Sequence, residues 1–143
     1  MPTIPADLLE AYNTTIIEVA LPNESFVVSA SVSSGEIALP QLLRPCFWVI
    51  TPCNPRSKKL SAQTNALRFK AFWLTACQQM NDVKGVSCFR AVGRSPDGAW
   101  AEDSVAFVGM SKKEALELAR KHDQNAVYCV TSLGVEVLMA EGV

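Results

Sequence analysis

The order of strand-forming and helix-forming segments predicts an α+β fold, a ferredoxin-like βαββαβ sandwich with an added N-terminal β-hairpin. Three observations carry this expectation. From Phe47 onward the segments run strand, helix, strand, strand, helix, strand. Two earlier β-rich runs flank a turn signal, Pro22-Asn-Glu. The second helix opens on a capping box, Ser111-Lys-Lys-Glu114, in which hydroxyl and carboxylate each satisfy a free backbone N–H.

The chain opens with a short amphipathic helix, about Pro5 to Tyr12. Thr14 to Leu21 and Ser25 to Val32 follow as the hairpin, which Ser33-Ser-Gly35 ends. Ile37 to Leu43 reads as a short helical segment interrupted by Pro40. Cys46-Phe-Trp-Val-Ile-Thr51 is a continuous apolar run between prolines, as a central strand requires. Asn54-Pro-Arg-Ser57 breaks it. Ala66, Phe69, Trp73, Cys77 and Met80 recur at helical spacing, predicting a helix from Ser61 to Met80. Val86 to Val92 and Trp100 to Gly109 are strands joined by a turn with Pro96-Asp-Gly98 at its tip. The capped helix runs to Lys121, and Ala126 to Thr131 and Gly134 to Met139 are strands. The whole is read as one domain: an extension over 1–44, the ferredoxin-like core over 45–131, and an edge strand and tail over 132–143.

Composition narrows the function classes. The 143 residues are 49% apolar and 19% charged with a net charge of -1, enough for one core and without a basic field to attract nucleic acid. No apolar run reaches the about 20 residues of a membrane span. Met1-Pro-Thr-Ile-Pro-Ala-Asp lacks a leader pattern, so a cytoplasmic protein is expected. The five cysteines are odd in number and never spaced C-x-x-C, which reads as reduced core thiols. One histidine and scattered thiols do not make a zinc site, and no metal is expected. Glycine-loop, zinc-protease, nucleophile-elbow and RNA-platform motifs are all missing.

Strand direction organises the polar residues. If the first core strand points up, the break at Asn54–Ser57, the first helix start, the hairpin tip and the exit of the second helix all meet at one end of the sheet. That end gathers Asn54, Arg56, Ser57, Asn65, Arg68, Arg94, Asp97, Trp100, Glu102, Gln124 and Asn125 as candidate ligand-binding residues. Arg56, Arg68 and Arg94 present forked donors suited to carboxylate or phosphate, and Asn65 and Arg68 stand at a helix start that favours anions. Asn54, Asn65, Gln124 and Asn125 offer neutral hydrogen bonds, and Trp100 is either core or an apolar wall. Each also has a plain structural use: a turn at Asn54-Pro, a hairpin tip at Pro96-Asp-Gly98, a helix cap at Gln124-Asn125, a solvated His122.

The expected function is binding of an anionic small molecule or nucleotide-like ligand, with no cofactor indicated. Two alternatives stand beside it. One is an enzyme acting on a phosphorylated or nucleotide-like substrate, with Glu102 or Asp97 as base or magnesium ligand; it requires a carboxylate in the pocket that no arginine neutralises. The other is an interaction module, a homodimer among the options, using the sheet edge or face.

Phe47-Trp-Val-Ile-Thr-Pro-Cys-Asn-Pro-Arg-Ser57, Asn65 with Arg68, Val92-Gly-Arg-Ser-Pro-Asp-Gly-Ala-Trp-Ala-Glu-Asp-Ser104 and His122-Asp-Gln-Asn-Ala126 together resemble a family of uncharacterised bacterial proteins, the domain of unknown function numbered 3293. The resemblance covers about Arg44 to Val130. Two departures are visible: Pro52-Cys53 in place of a small residue and an aromatic, and His122-Asp123 in place of phenylalanine–glycine. The resemblance adds weight to the motif residues and implies no particular activity.

Overall fold

A computed structural model describes residues 6–31 and 36–140. Helix α1 (Ala6–Thr14) leads into strands β1 (Ile16–Ala20) and β2 (Ser25–Ser29). A 3-10 turn, Gln41–Leu43, precedes β3 (Cys46–Ile50), and a second, Pro55–Ser57, follows it. Helix α2 (Ala62–Phe72) continues through a π-helical segment, Trp73–Cys77, into α3 (Gln78–Lys84), where Gly85 stops it at φ +69°. Then come β4 (Ser87–Arg94), β5 (Ala101–Val108), α4 (Lys112–Lys121), β6 (Ala126–Thr131) and β7 (Gly134–Met139). The expected Pro5 helix start, the strand end at Val32, the break at Ser33-Ser-Gly35 and the tail past Ala140 lie outside the described residues. Among the described residues no helix is long and apolar enough to cross a membrane.

The seven strands form one sheet in the order β2-β1-β4-β5-β3-β6-β7, with every neighbouring pair antiparallel. This overturns the expected ferredoxin-like sandwich. That architecture places helices on one face of a short sheet. Here the N-terminal hairpin pairs with β4, β7 pairs with β6, and the enlarged sheet becomes a half-barrel. Its outer face packs Trp48, Ile50, Val105 and Phe107 against Phe69, Phe72, Leu118 and Ala119 of the helices. Its inner face packs Ile17, Val19, Phe47, Val49, Ala106 and Val130 together under Leu39 and Leu43.

Ring contacts measure the curl. Phe26 on β2 and Phe47 on β3 meet edge to face with centroids 6.1 Å apart. Four strand spacings separate β2 from β3, about 19 Å in a flat sheet. Likewise Tyr128 on β6 donates to Thr15 Oγ1, just before β1, at 2.9 Å. The apolar run of β3 explains why the sheet closes: Phe47 and Val49 point to one side, Trp48 and Ile50 to the other, and all four are buried. Both faces therefore need cover. The helices supply one, and curvature supplies the other.

Phe47→Ala should destabilise the fold by about 3–5 kcal/mol in urea unfolding, since the ring is fully buried. In a double-mutant cycle, Phe26→Ala and Phe47→Ala should couple by about 0.5–1.5 kcal/mol. Additive losses would mean that the two strands do not meet across the curl.

Candidate functional site

Alternation along β5 decides which of its polar residues enters the fold. Ala106 and Val108 belong to the inner cluster, so Glu102 and Ser104 point inward too, while Asp103 follows Val105 and Phe107 to the helix side. At the end of the curl nearest Glu102 lies a cavity of about 510 Å³, within the range of small-molecule sites. Val49, Thr51, Gly93 and Tyr128 contribute from the other strands. Ala11, Tyr12 and Thr15 contribute from α1 and its exit.

The loop after β3 is shaped to reach Glu102. Thr51 Oγ1 donates to the Asp103 carbonyl at 2.7 Å and accepts from the Cys53 amide at 3.0 Å, turning the chain off the strand. Asn54 then takes the left-handed conformation (φ 47°) and Ser57 does so as well (φ 61°), two non-glycine residues in a sparsely populated region within one short loop. Asn54 and Asn65 grip each other. The Asn54 amide donates to Asn65 Oδ1 at 3.0 Å, and Asn65 Nδ2 donates to Asn54 Oδ1 at 2.9 Å. The Leu60 amide also donates to Asn54 Oδ1, at 2.8 Å. With its oxygen so held, Asn54 Nδ2 is aimed at Glu102 Oε2, 2.6 Å away.

That bond comes from the one group that, among the described residues, contacts the Glu102 carboxylate with a hydrogen bond or charge. Burial raises the Glu102 carboxyl above its ordinary value, and the Asn54 bond opposes the shift in part. The Tyr128 phenol is pushed up, first by burial and then by Tyr12 and Glu102, so it remains a neutral donor to Thr15. Burial likewise raises the Cys53 thiol, against a bond from Thr51. Helix α1 is strapped across the cavity by Tyr12, whose hydroxyl lies 3.2 Å from Ser57 Oγ. Asn125 Nδ2 donates to the same oxygen at 2.8 Å.

The expected site residues divide into two groups. Asn54, Ser57, Asn65, Trp100, Glu102 and Gln124 line the cavity, and Asn125 supports it through Ser57. Trp100, weighed as core or wall, is half-buried in that lining. Gln124 is buried, with Nε2 donating to the Cys53 and His122 carbonyls. Arg68, Arg94 and Asp97 lie elsewhere. Arg68 holds the Pro52 carbonyl through Nε at 2.7 Å and the His122 carbonyl through Nη2 at 3.4 Å. Arg94 pairs with Glu18 at 2.8 Å. Asp97 is an exposed turn residue accepting from the Ala99 amide, which lowers its carboxyl pKa. Arg56 belongs to the 3-10 turn Pro55–Ser57, and its side chain lies outside the described part. His122, expected to be solvated, is half-buried with its ring 4.7 Å from Phe72, and burial, Lys121 and Arg68 hold it below its ordinary pKa. The left-handed helix-exit position belongs to Asp123 (φ 56°), not to Asn125.

Among the described residues no three carboxylate, thiol or imidazole side chains gather as a metal site. The family model described as "Protein of unknown function (DUF3293)" matches residues 50–127, more than half of the chain. The chain belongs to the DUF3293 family. No curated protein and no solved structure matches it. The stretch matched to DUF3293 contains Asn54, Asn65, Trp100, Glu102 and Gln124, so one cavity wall and its half-buried carboxylate fall within the family segment. Tyr12, Thr15 and Tyr128 fall outside it. Sequence reasoning missed those three, and Thr51. For Tyr128 a signal existed: it alternates with Ala126 and Val130, a hydroxyl in an otherwise apolar row. For Tyr12 and Thr15 there was none, because only the curl brings them to the site.

The Glu102 shift has a sign that stability can report. Its carboxyl titrates higher in the folded chain than the ordinary 4.5, so ionisation favours unfolding. The stabilising contribution is complete below the unfolded value and is lost as pH rises through the folded one. Glu102→Gln keeps an oxygen for Asn54 and removes the charge. It should raise the urea midpoint at neutral pH and leave it nearly unchanged in acid, below the unfolded value.

Proposed function

We propose that this protein binds a small molecule inside the curled sheet, with Glu102 as the polar anchor and Tyr12, Trp100 and Tyr128 as apolar walls. The observation that carries this reading is a half-buried carboxylate facing a cavity of about 510 Å³, with no described cation bonded to it. Groups perturbed by burial and set in a cleft cluster at functional sites. Asn54 and Ser57, both in left-handed conformations on the cavity lining, add a second mark of such a site. The expectation of an anionic ligand rested on Arg56, Arg68 and Arg94. Arg68 is committed to carbonyls and Arg94 to Glu18, so neither arginine is free to hold an anion in the cavity.

Catalysis in the same cavity is a second reading. Glu102 meets its condition, a carboxylate that no described arginine neutralises, and its raised pKa suits transfer of a proton. A phosphorylated substrate gains no support, since its charge would face Glu102.

A thermal-shift screen of uncharged, cationic and anionic metabolites tests the binding reading. At least one compound should raise the melting temperature, and Ala126→Phe, which fills the cavity from β6, should abolish that shift. A shift that survives Ala126→Phe would place binding elsewhere, and a screen without any shift would count against a ligand site.

A further inference from the structure

We propose that the cavity takes an organic cation, an ammonium or amidinium group seated on Glu102 with its apolar body against Tyr12, Trp100 and Tyr128. This rests on the ligand-site reading above and specifies the charge of the ligand. Among the described lining residues Glu102 is the one carboxylate and Lys59 the one cation. Glu102 Oε2 is occupied by Asn54 at 2.6 Å, and no described group bonds Oε1. The loop does not need that charge: Asn54 is already fixed by Asn65 and by the Leu60 amide, and an uncharged acceptor would satisfy its remaining N–H. A glutamine could do the same work without the cost of burying a carboxylate.

The described arginines near the site are engaged elsewhere. Arg94 lies on Glu18, Arg68 on the Pro52 and His122 carbonyls, and Arg90 over the rings of Phe69 and Trp73 at 5.5 and 5.0 Å, on the helix side of the sheet. Lys59 is on the cavity lining but exposed, and no ion pair joins it to Glu102. No described cation bonds Glu102, and the proposal assigns the counter-charge to the ligand. An anion would be repelled. A neutral donor would gain one hydrogen bond, whereas a cation would gain a charge-assisted one. The aromatic walls act in the same sense, because ring faces attract cations.

Calorimetric titration of the full chain with three probes of one shape tests this: phenethylammonium, neutral 2-phenylethanol and phenylacetate. The cation should bind at least about tenfold more tightly than the alcohol, and phenylacetate should be weakest. Glu102→Gln should reduce the cation's affinity by about tenfold or more and change the alcohol's by no more than about twofold. If that variant does not fold, the ranking of the three probes on the wild-type chain decides alone. Equal or tighter binding of the alcohol or of phenylacetate overturns the cation, as does silence from all three probes at millimolar concentration. In those cases sensitivity to Ala126→Phe of whichever compound does bind shows that the cavity itself remains the ligand site.

Discussion

The inner face of the sheet carries too much apolar surface to stand in water, and the helices of the other cluster pack on the opposite face. Ile17, Val19, Phe47, Val49, Ala106 and Val130 become buried when the sheet bends until β2 touches β3 and β6 reaches the residue just before β1. The contact of Phe26 with Phe47 and the bond from Tyr128 to Thr15 record how far that bend goes. Every later feature follows from it. A flat sheet would leave Glu102 and Ser104 facing solvent at its end, and it would leave α1 far from β6. The bend turns one end of the inner face into a cavity and brings α1 across it.

Burial then sets the chemistry. A glutamate at a strand end in water is ordinary. The same glutamate inside the curl loses hydration, and its remaining described contact is one amide N–H from Asn54. The surroundings are held still by neutral bonds: the reciprocal Asn54–Asn65 pair, Gln124 on the Cys53 carbonyl, and Ser57 between Tyr12 and Asn125. Such a frame fixes the carboxylate's position without neutralising it. The left-handed backbone at Asn54 and Ser57 is a conformational cost accepted in the same loop.

Much of the local structure was legible because its causes are local. The capping box at Ser111 and Glu114 forms in both directions, at 3.1 and 3.0 Å. The apolar run of β3 announced a strand covered on both faces. The polar wall was legible through strand direction, which carries Asn54, Asn65, Glu102 and Gln124 to one end whatever the curvature. The curvature was not legible. A period of two assigns each side chain to a face, and a flat or a curled sheet has the same period. The ferredoxin-like sandwich was expected from the order of strands and helices, which likewise carries no curvature. The arginines were misplaced for another: their partners, Glu18 for Arg94 and the Pro52 and His122 carbonyls for Arg68, are remote in sequence, and charge pairing has no periodic signature.

The central claim is that a carboxylate lies inside the curl with no described cation bonded to it. The most direct measurement is a pH titration of the Glu102 side-chain carboxyl carbon by NMR in the folded, ligand-free protein. A midpoint clearly above the ordinary glutamate value of 4.5 is the predicted result. A midpoint at or below that value would mean that Glu102 is hydrated or paired with a cation, and would contradict both the closed inner face and the site built on it.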